Sequence, residues 1–141
     1  MENGNRLRVV LDTNVVFEGL TKRQGACGII IDAWLAGLIR VYVSDALVYE
    51  YADVLSRKLS AKRWERAKIA LATLLQNAQF VALHYTWRPS SPDPADDKVI
   101  DCATNVNAII VTSNLRDFRK AEKELGVSVI TPLQLVQLLA A

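Results

Sequence analysis

The sequence predicts an α/β fold: one domain with a central, mostly parallel sheet of four to five strands, flanked by helices on both faces. Three observations carry this. Short apolar runs rich in β-branched residues recur at 7–12, 39–43, 80–83, 108–112 and 127–130, with helix-like segments between them. The first run, LRVVLD, is apolar without alternation, as a strand covered on both faces must be. A length of 141 residues suits a single domain, 1–141, with no repeat, low-complexity tract or linker in it.

Residues 1–6 read as a short, flexible polar lead-in without the apolar core of a signal peptide. The first strand ends on a carboxylate, Asp12. CGIIIDAWLAGL at 27–38 has the length and spacing of a helix and closes near Gly37, and IRVYV at 39–43 is the second strand. Ser44 or Asp45 can cap a helix over 45–58, and another helix follows over 61–78. FVAL at 80–83 is the third strand, followed by a Pro- and Ser-rich loop at 86–94. Asp93 is placed as the cap of a helix over 95–106, with Pro94 at its first position, where a missing N–H costs nothing. The rest reads as a strand at 108–112, a polar helix at 117–125 ending at Gly126, a strand at 127–130 and a helix at 132–140 opened by Pro132.

Composition excludes several function classes. No apolar run approaches the ~20 residues of a membrane helix, so the default location is the cytoplasm. Cys27 and Cys102 stand apart without a C-x-x-C pattern, which argues against zinc and for two small buried apolar residues in a reducing compartment. The single histidine, His84, has no nucleophile signature beside it and reads as a strand-end residue.

The net charge of +2 is small but uneven. Arg57, Lys58, Lys62, Arg63, Arg66 and Lys68 crowd 57–68 against Glu65 alone, while Asp93, Asp96, Asp97 and Asp101 crowd 93–101 against Lys98 alone. A basic stretch suits a polyanion and an acidic cluster suits a hard cation. Basic helical runs are also ordinary solvated faces, so the pairing of the two features carries the weight.

The acids fall where a parallel sheet binds ligands, outside the carboxyl ends of its strands. Asp12 ends the first strand, with Asn14 two residues on. Glu50 lies in the stripe formed by Leu47, Tyr51 and Val54, so it faces inward and needs compensation. Asp53 and Arg57, four apart, form an exposed pair. Asp96 shares the face of Val99, Ile100 and Ala103, with Asp97 beside it. First-turn acids also serve the helix dipole at ~0.3–1 kcal/mol each, but four acids in nine residues exceed that need. Asp101 is either a supporting group or exposed. Thr112, Ser113, Asn114 and Asp117 follow the fourth strand and can hold waters or a phosphate, or simply make a turn.

Four stretches together resemble the PIN-domain ribonucleases, including toxins of the VapC type and the PIN-family toxin components of toxin–antitoxin pairs. VVLDTNVVFEGL is similar to the family's opening strand and D-x-N motif, placing its first acid on Asp12. VSDALVYEYADVL places the second on Glu50. DPADDKVIDCATNVNAIIVTSN is similar to the third and fourth motifs, with the acid on Asp96 or Asp97, then Ala103, and a strand ending in Thr112. The match spans about 7–132. Asn114 stands where many members carry an Asp, which leaves either Asp117 or Asp97 to supply that charge, or a site that binds its second metal weakly.

The resemblance implies hydrolysis of RNA phosphodiesters with Mg²⁺ or Mn²⁺. The implied metal ligands are Asp12, Glu50, Asp96, Asp97 and Asp117, supported by Asn14, Thr112, Ser113 and Asn114. Arg57, Lys58, Lys62, Arg63, Arg66, Arg116 and Arg119 are the expected RNA-backbone contacts. An antitoxin protein and a homodimer or larger assembly are the partners it implies, with no membrane. Two other readings compete: a PIN fold with an incomplete site that binds RNA or protein without cutting, and a phosphotransferase using Asp12 as nucleophile. The second wants another Asp where this chain has Asn14.

Overall fold

A computed structural model describes residues 6–83 and 94–141. The readings at residues 1–5, His84, the loop at 86–93 and the Asp93 cap lie outside the described residues. Among the described residues, β1 (Leu7–Leu11), β2 (Ile39–Val43), β3 (Ala78–Phe80), β4 (Ile109–Val111) and β5 (Val129–Ile130) form one sheet in the order β3-β2-β1-β4-β5. Every pairing in it is parallel. The helices are α1 (Thr13–Thr21), α2 (Ala26–Leu35), α3 (Asp45–Lys58), α4 (Ala61–Leu75), α5 (Pro94–Val106), α6 (Arg119–Leu125) and α7 (Pro132–Ala140). No helix among the described residues is long and apolar enough to cross a membrane.

The chain steps from β1 to β2 to β3, then returns to the far side of β1 for β4 and β5. Right-handed crossovers in opposite directions put helices on both faces and leave a crevice between β1 and β4. Val9, Val10 and Leu11 are fully buried at the centre, which explains why their run does not alternate. α5, the return crossover, packs over β1, β2 and β4, while α1 packs on α2 and α3.

Local chemistry sets most boundaries. Ser44 caps α3 by accepting from Leu47 N–H at 3.1 Å, and Thr131 with Gln134 forms a reciprocal capping box on α7. α2 stops at Leu35 rather than at 38. The left-handed Gly37 (φ 75°) lets Leu38 N–H reach back to the Ala33 carbonyl at 2.9 Å, which tops the helix earlier. α4 ends at Leu75 rather than 78, because Asn77 is drawn into a loop whose carbonyl accepts from the Trp34 indole at 3.2 Å.

Three further expectations need correction. β3 is Ala78–Phe80, not 80–83: β2 ends at Val43, opposite Phe80, so the apolar run outlasts its partner strand. The polar helix at 117–125 divides into a 3-10 turn, Leu115–Phe118, and α6. The helix α1 has no counterpart among the sequence-based expectations. It starts because Asp12 caps it, accepting from Thr13 N–H, so one residue ends a strand and opens a helix.

α1 lies close on α2 at Gly19. A Cβ there would meet Ile31 Cγ1 at 2.5 Å and the Cys27 carbonyl oxygen at 2.7 Å. Replacing Gly by Ala in a helix gains about 1 kcal/mol of propensity. A backbone oxygen cannot step aside, however, and overpacking costs about 1–3 kcal/mol. Gly19→Ala is therefore expected to unfold at lower urea concentration than the parent, an outcome that a higher midpoint would refute.

Cys27 and Cys102 are buried, as expected of small apolar residues. Burial pushes the Cys27 thiol up from 9.0 to about 11, helped by Glu18, and burial with Asp101 pushes Cys102 up to about 12. The native state thus holds protons that the unfolded chain releases above pH 9, and stability falls as pH rises through 9 toward 11 and 12. Urea midpoints measured from neutral pH upward should stay level to about pH 9, then drop, and the drop should be shallower in a Cys27→Ser, Cys102→Ala variant.

Candidate active site

Asp12 is 4% exposed, and its carboxylate is held on both oxygens. Oδ1 accepts from Thr13 N–H at 2.8 Å, and Oδ2 accepts from the Thr112 hydroxyl at 2.7 Å. Thr112 itself is fully buried at the end of β4, and its Oγ1 accepts from Asn114 N–H at 3.0 Å. The pairing of β1 with β4, Leu11 opposite Val111, is what brings residues 100 apart in sequence into this contact. A buried carboxylate requires such compensation, since burying the charge without it is prohibitive.

Glu50 is delivered by α3, in the stripe of Leu47, Tyr51 and Val54, which are 0%, 0% and 6% exposed. Tyr51 fixes that face to the sheet: its hydroxyl donates to the Leu11 carbonyl at 2.5 Å, one residue before Asp12. Burial first, then Cys102 and Asp12, push the Tyr51 phenol well above its ordinary value, so it stays a neutral donor. Glu50 Oε1 accepts from Lys98 Nζ at 3.1 Å, which ties α3 to α5.

The first turn of α5 contributes Asp96 and Asp97, each 8% exposed. A cavity of about 180 Å³ is lined by Asp12, Thr13, Asn14, Glu50, Val54, Arg57, Lys58 and Asp96. The structure thus brings together Asp12, Glu50 and Asp96, from three separate parts of the chain, with Asn14 at the edge and two cations at the rim. Asp97 is buried next to Asp96 without lining the cavity. Asp101 is 4% exposed, which removes the exposed alternative for it.

The remaining candidates lie elsewhere. Asn114 is exposed beyond β4, and Asp117 is half-buried in the 3-10 turn, its N–H donating to the Asn114 carbonyl at 3.1 Å. Ser113 borders a different cavity, with Glu18, Cys27, Thr131 and Leu133. Arg63 and Arg66 line an apolar groove with Leu20, Leu59 and Ala67. Lys62, Arg116 and Arg119 are exposed. Asp53 and Arg57 do make their pair, at 3.0 Å. Lys98 is the site residue that sequence reasoning misses: a contact across 48 residues leaves no local signal.

The cavity fits a hard divalent cation in kind. Its acidic donors are all carboxylate oxygens, the ligands Mg²⁺ and Mn²⁺ take. About 180 Å³ also leaves room for an ion that keeps several waters, each needing ~30 Å³. The acids stand farther apart than ligands around one ion, however. Among the described residues no three His, Cys, Asp or Glu side chains are in position to hold a metal ion. Sharing a cavity is a looser condition than closing around an ion, and Glu50 is meanwhile turned to Lys98.

Comparison with known proteins identifies the family and the fold. The family model described as PIN domain matches residues 8–116. No curated protein sequence matches the chain. Among solved structures, VapBC2 from Rickettsia felis, bound to a DNA fragment from their promoter, matches with a TM-score of 0.62 at 16% identity, covering 88% of this chain and 97% of that one. VapBC-1 from nontypeable Haemophilus influenzae matches with a TM-score of 0.64 at 15% identity, covering 90% and 99%. FitAcB from Neisseria gonorrhoeae matches with a TM-score of 0.61 at 20% identity, covering 89% and 98%. At these identities the likeness is one of fold.

The Thr112 hydroxyl is the testable member of the Asp12 support. Thr112→Val keeps the volume but leaves a buried carboxylate oxygen without that donor, a loss of about 1–3 kcal/mol. Thr112→Ser, which restores the hydroxyl, should recover much of it in denaturation midpoints. Equal midpoints for Val and Ser would show that the hydrogen bond contributes nothing.

Proposed function

The chain belongs to the PIN-domain family, and from that premise we propose that it is a divalent-metal-dependent endoribonuclease, the toxin component of a toxin–antitoxin pair. The observation that supports this most directly is the shared cavity of Asp12, Glu50 and Asp96 at the carboxyl edge of the sheet. Like charges from the cap of α1, from α3 and from α5 are costly to assemble unless a cation belongs among them.

Asp12, Glu50 and Asp96 are the residues that hold the metal in this reading. Asp97 is the nearest reserve, and Asp117 is the more distant one. Mg²⁺ or Mn²⁺ held there would supply the Lewis acidity that makes water nucleophilic near neutral pH. The chain's own residues position the reaction. Thr13 N–H and the Thr112 hydroxyl fix both oxygens of Asp12, so its orientation survives changes of ligand. Tyr51, anchored on the Leu11 carbonyl, holds the helical face that presents Glu50. No histidine is required as base.

Arg57 and Lys58, which line the same cavity, are the cations nearest the acids and the first candidates to hold the RNA backbone. Lys62, Arg63 and Arg66 continue the basic strip along α4, and Arg116 and Arg119 offer contacts beyond β4. Binding through them weakens steeply with salt. The solved VapBC and FitAcB assemblies, in each of which a matching chain has this fold, support an antitoxin protein as partner, and a homodimer or larger assembly is expected of such a toxin.

A non-cutting RNA- or protein-binding module is the competing reading. Asn114, standing where an acid is common and away from the cavity, is the observation in its favour. Cleavage of mixed RNAs with Mg²⁺, Mn²⁺ or EDTA separates the two. The parent should cut with either metal and not with EDTA. Asp12→Asn and Glu50→Gln should lose at least the roughly 10–100-fold that changes around a metal site cost. Intact RNA binding with no cleavage by the parent in Mn²⁺ favours the binding module, and equal cleavage by all three proteins sinks the assigned site.

A further inference from the structure

The three acids of the cavity are compensated in different ways. Asp12 caps α1 and Asp96 lies in the first turn of α5, so both carboxylates sit at the positive end of a helix. Glu50 is in the middle of α3, where the macrodipole offers nothing. Its side chain is only 14% exposed, and it takes Lys98 Nζ at 3.1 Å instead. The two rim cations are engaged elsewhere: Arg57 pairs with Asp53 at 3.0 Å, and Lys58 stands 5.2 Å from the centroid of the Phe17 ring. Lys98 follows Asp96 by two residues, so the helix that delivers one acid also delivers the cation that neutralises another.

We propose that Lys98 is the site's own counter-cation: it holds Glu50 in the metal-free protein, and a divalent ion must take Glu50 from it to bind. The proposal rests on the reading of Asp12, Glu50 and Asp96 as the metal-holding set. Whatever the Lys98–Glu50 pair contributes to the metal-free state is subtracted from metal affinity, because binding has to break it. The exchange costs little in structure. Lys98 is 36% exposed on a flexible four-carbon stem, so its ammonium can turn to water once Glu50 is released. In the metal-free state the same pair relieves repulsion among the acids and bridges α3 to α5. Lys98 is thus a specificity element for charge: a monovalent ion gains no advantage over an ammonium already in place, whereas a divalent ion does.

Mn²⁺ affinity of the full chain, measured by calorimetry or by the electron paramagnetic resonance signal of free Mn²⁺, tests this without reference to cleavage. The parent is compared with Lys98→Met, Lys98→Arg and Glu50→Gln. Lys98→Met should bind Mn²⁺ on the order of twofold to fivefold more tightly, the worth of a partly exposed ion pair, and should melt lower without metal. Lys98→Arg keeps the charge and should stay near the parent in both. Equal or weaker Mn²⁺ binding by Lys98→Met, while Glu50→Gln binds more weakly than the parent, overturns the Lys98 proposal and leaves the metal site standing. If Glu50→Gln binds Mn²⁺ as well as the parent, the metal-site reading itself is wrong and the proposal falls with it. Should Lys98→Met fold poorly, Lys98→Gln removes the charge while keeping a donor, and the same comparison applies.

Discussion

The acidic cavity depends on the parallel pairing of β1 with β4. That pairing fixes Leu11 opposite Val111, and so places the residues that follow, Asp12 and Thr112, side by side at the carboxyl edge of the sheet. Without the Thr112 hydroxyl beside it, Asp12 would bury one oxygen with no donor from that strand. Without Asp12, α1 would lose the side chain that opens it. Strand register, helix start and site geometry therefore share one carboxylate.

A second layer of support comes from helices that end at the cavity. Two of its acids sit at helix N-termini, where each gains about 0.3–1 kcal/mol from the macrodipole. The third, Glu50, gets a lysine. Tyr51 and Thr112 are both deeply buried, and each makes a hydrogen bond to the last residues of β1 or the first after it, so the end of β1 is clamped from α3 and from β4. Asp12 is thereby held on both oxygens, while Glu50 is tied to α5 through Lys98.

Much of this was legible from the residues in order. β2 and the helices α3 and α7 matched their expected bounds, because each has a strong local cap or a clear period. Glu50 was legible from its place in an apolar stripe, and Asp12 from its position at the end of an unbroken apolar run. α1 was hidden, since its opening cap is the same Asp12 that reads as the end of a strand. β3 begins two residues and ends three residues earlier than expected, because its length is decided by the strand beside it. The Lys98–Glu50 contact and the burial of Asp101 are products of tertiary packing, to which spacing along the chain is blind. Asp96 was legible ahead of Asp97 from the face it shares with Val99, Ile100 and Ala103, and it is Asp96 that lines the cavity.

The separation between β1 and β4 also has a consequence during synthesis. Val9 pairs with Ile109, so a growing chain holds the first strand for roughly 100 residues before its partner is made. At about 5–20 residues per second, that is a delay on the order of 5–20 seconds, followed by the time the ribosomal tunnel withholds the last segment. Through all of it Asp12 has been translated but lacks the hydroxyl that will hold it. A nascent or truncated chain therefore carries the first two acids without a finished cavity, and the site is complete only when nearly the whole length has emerged.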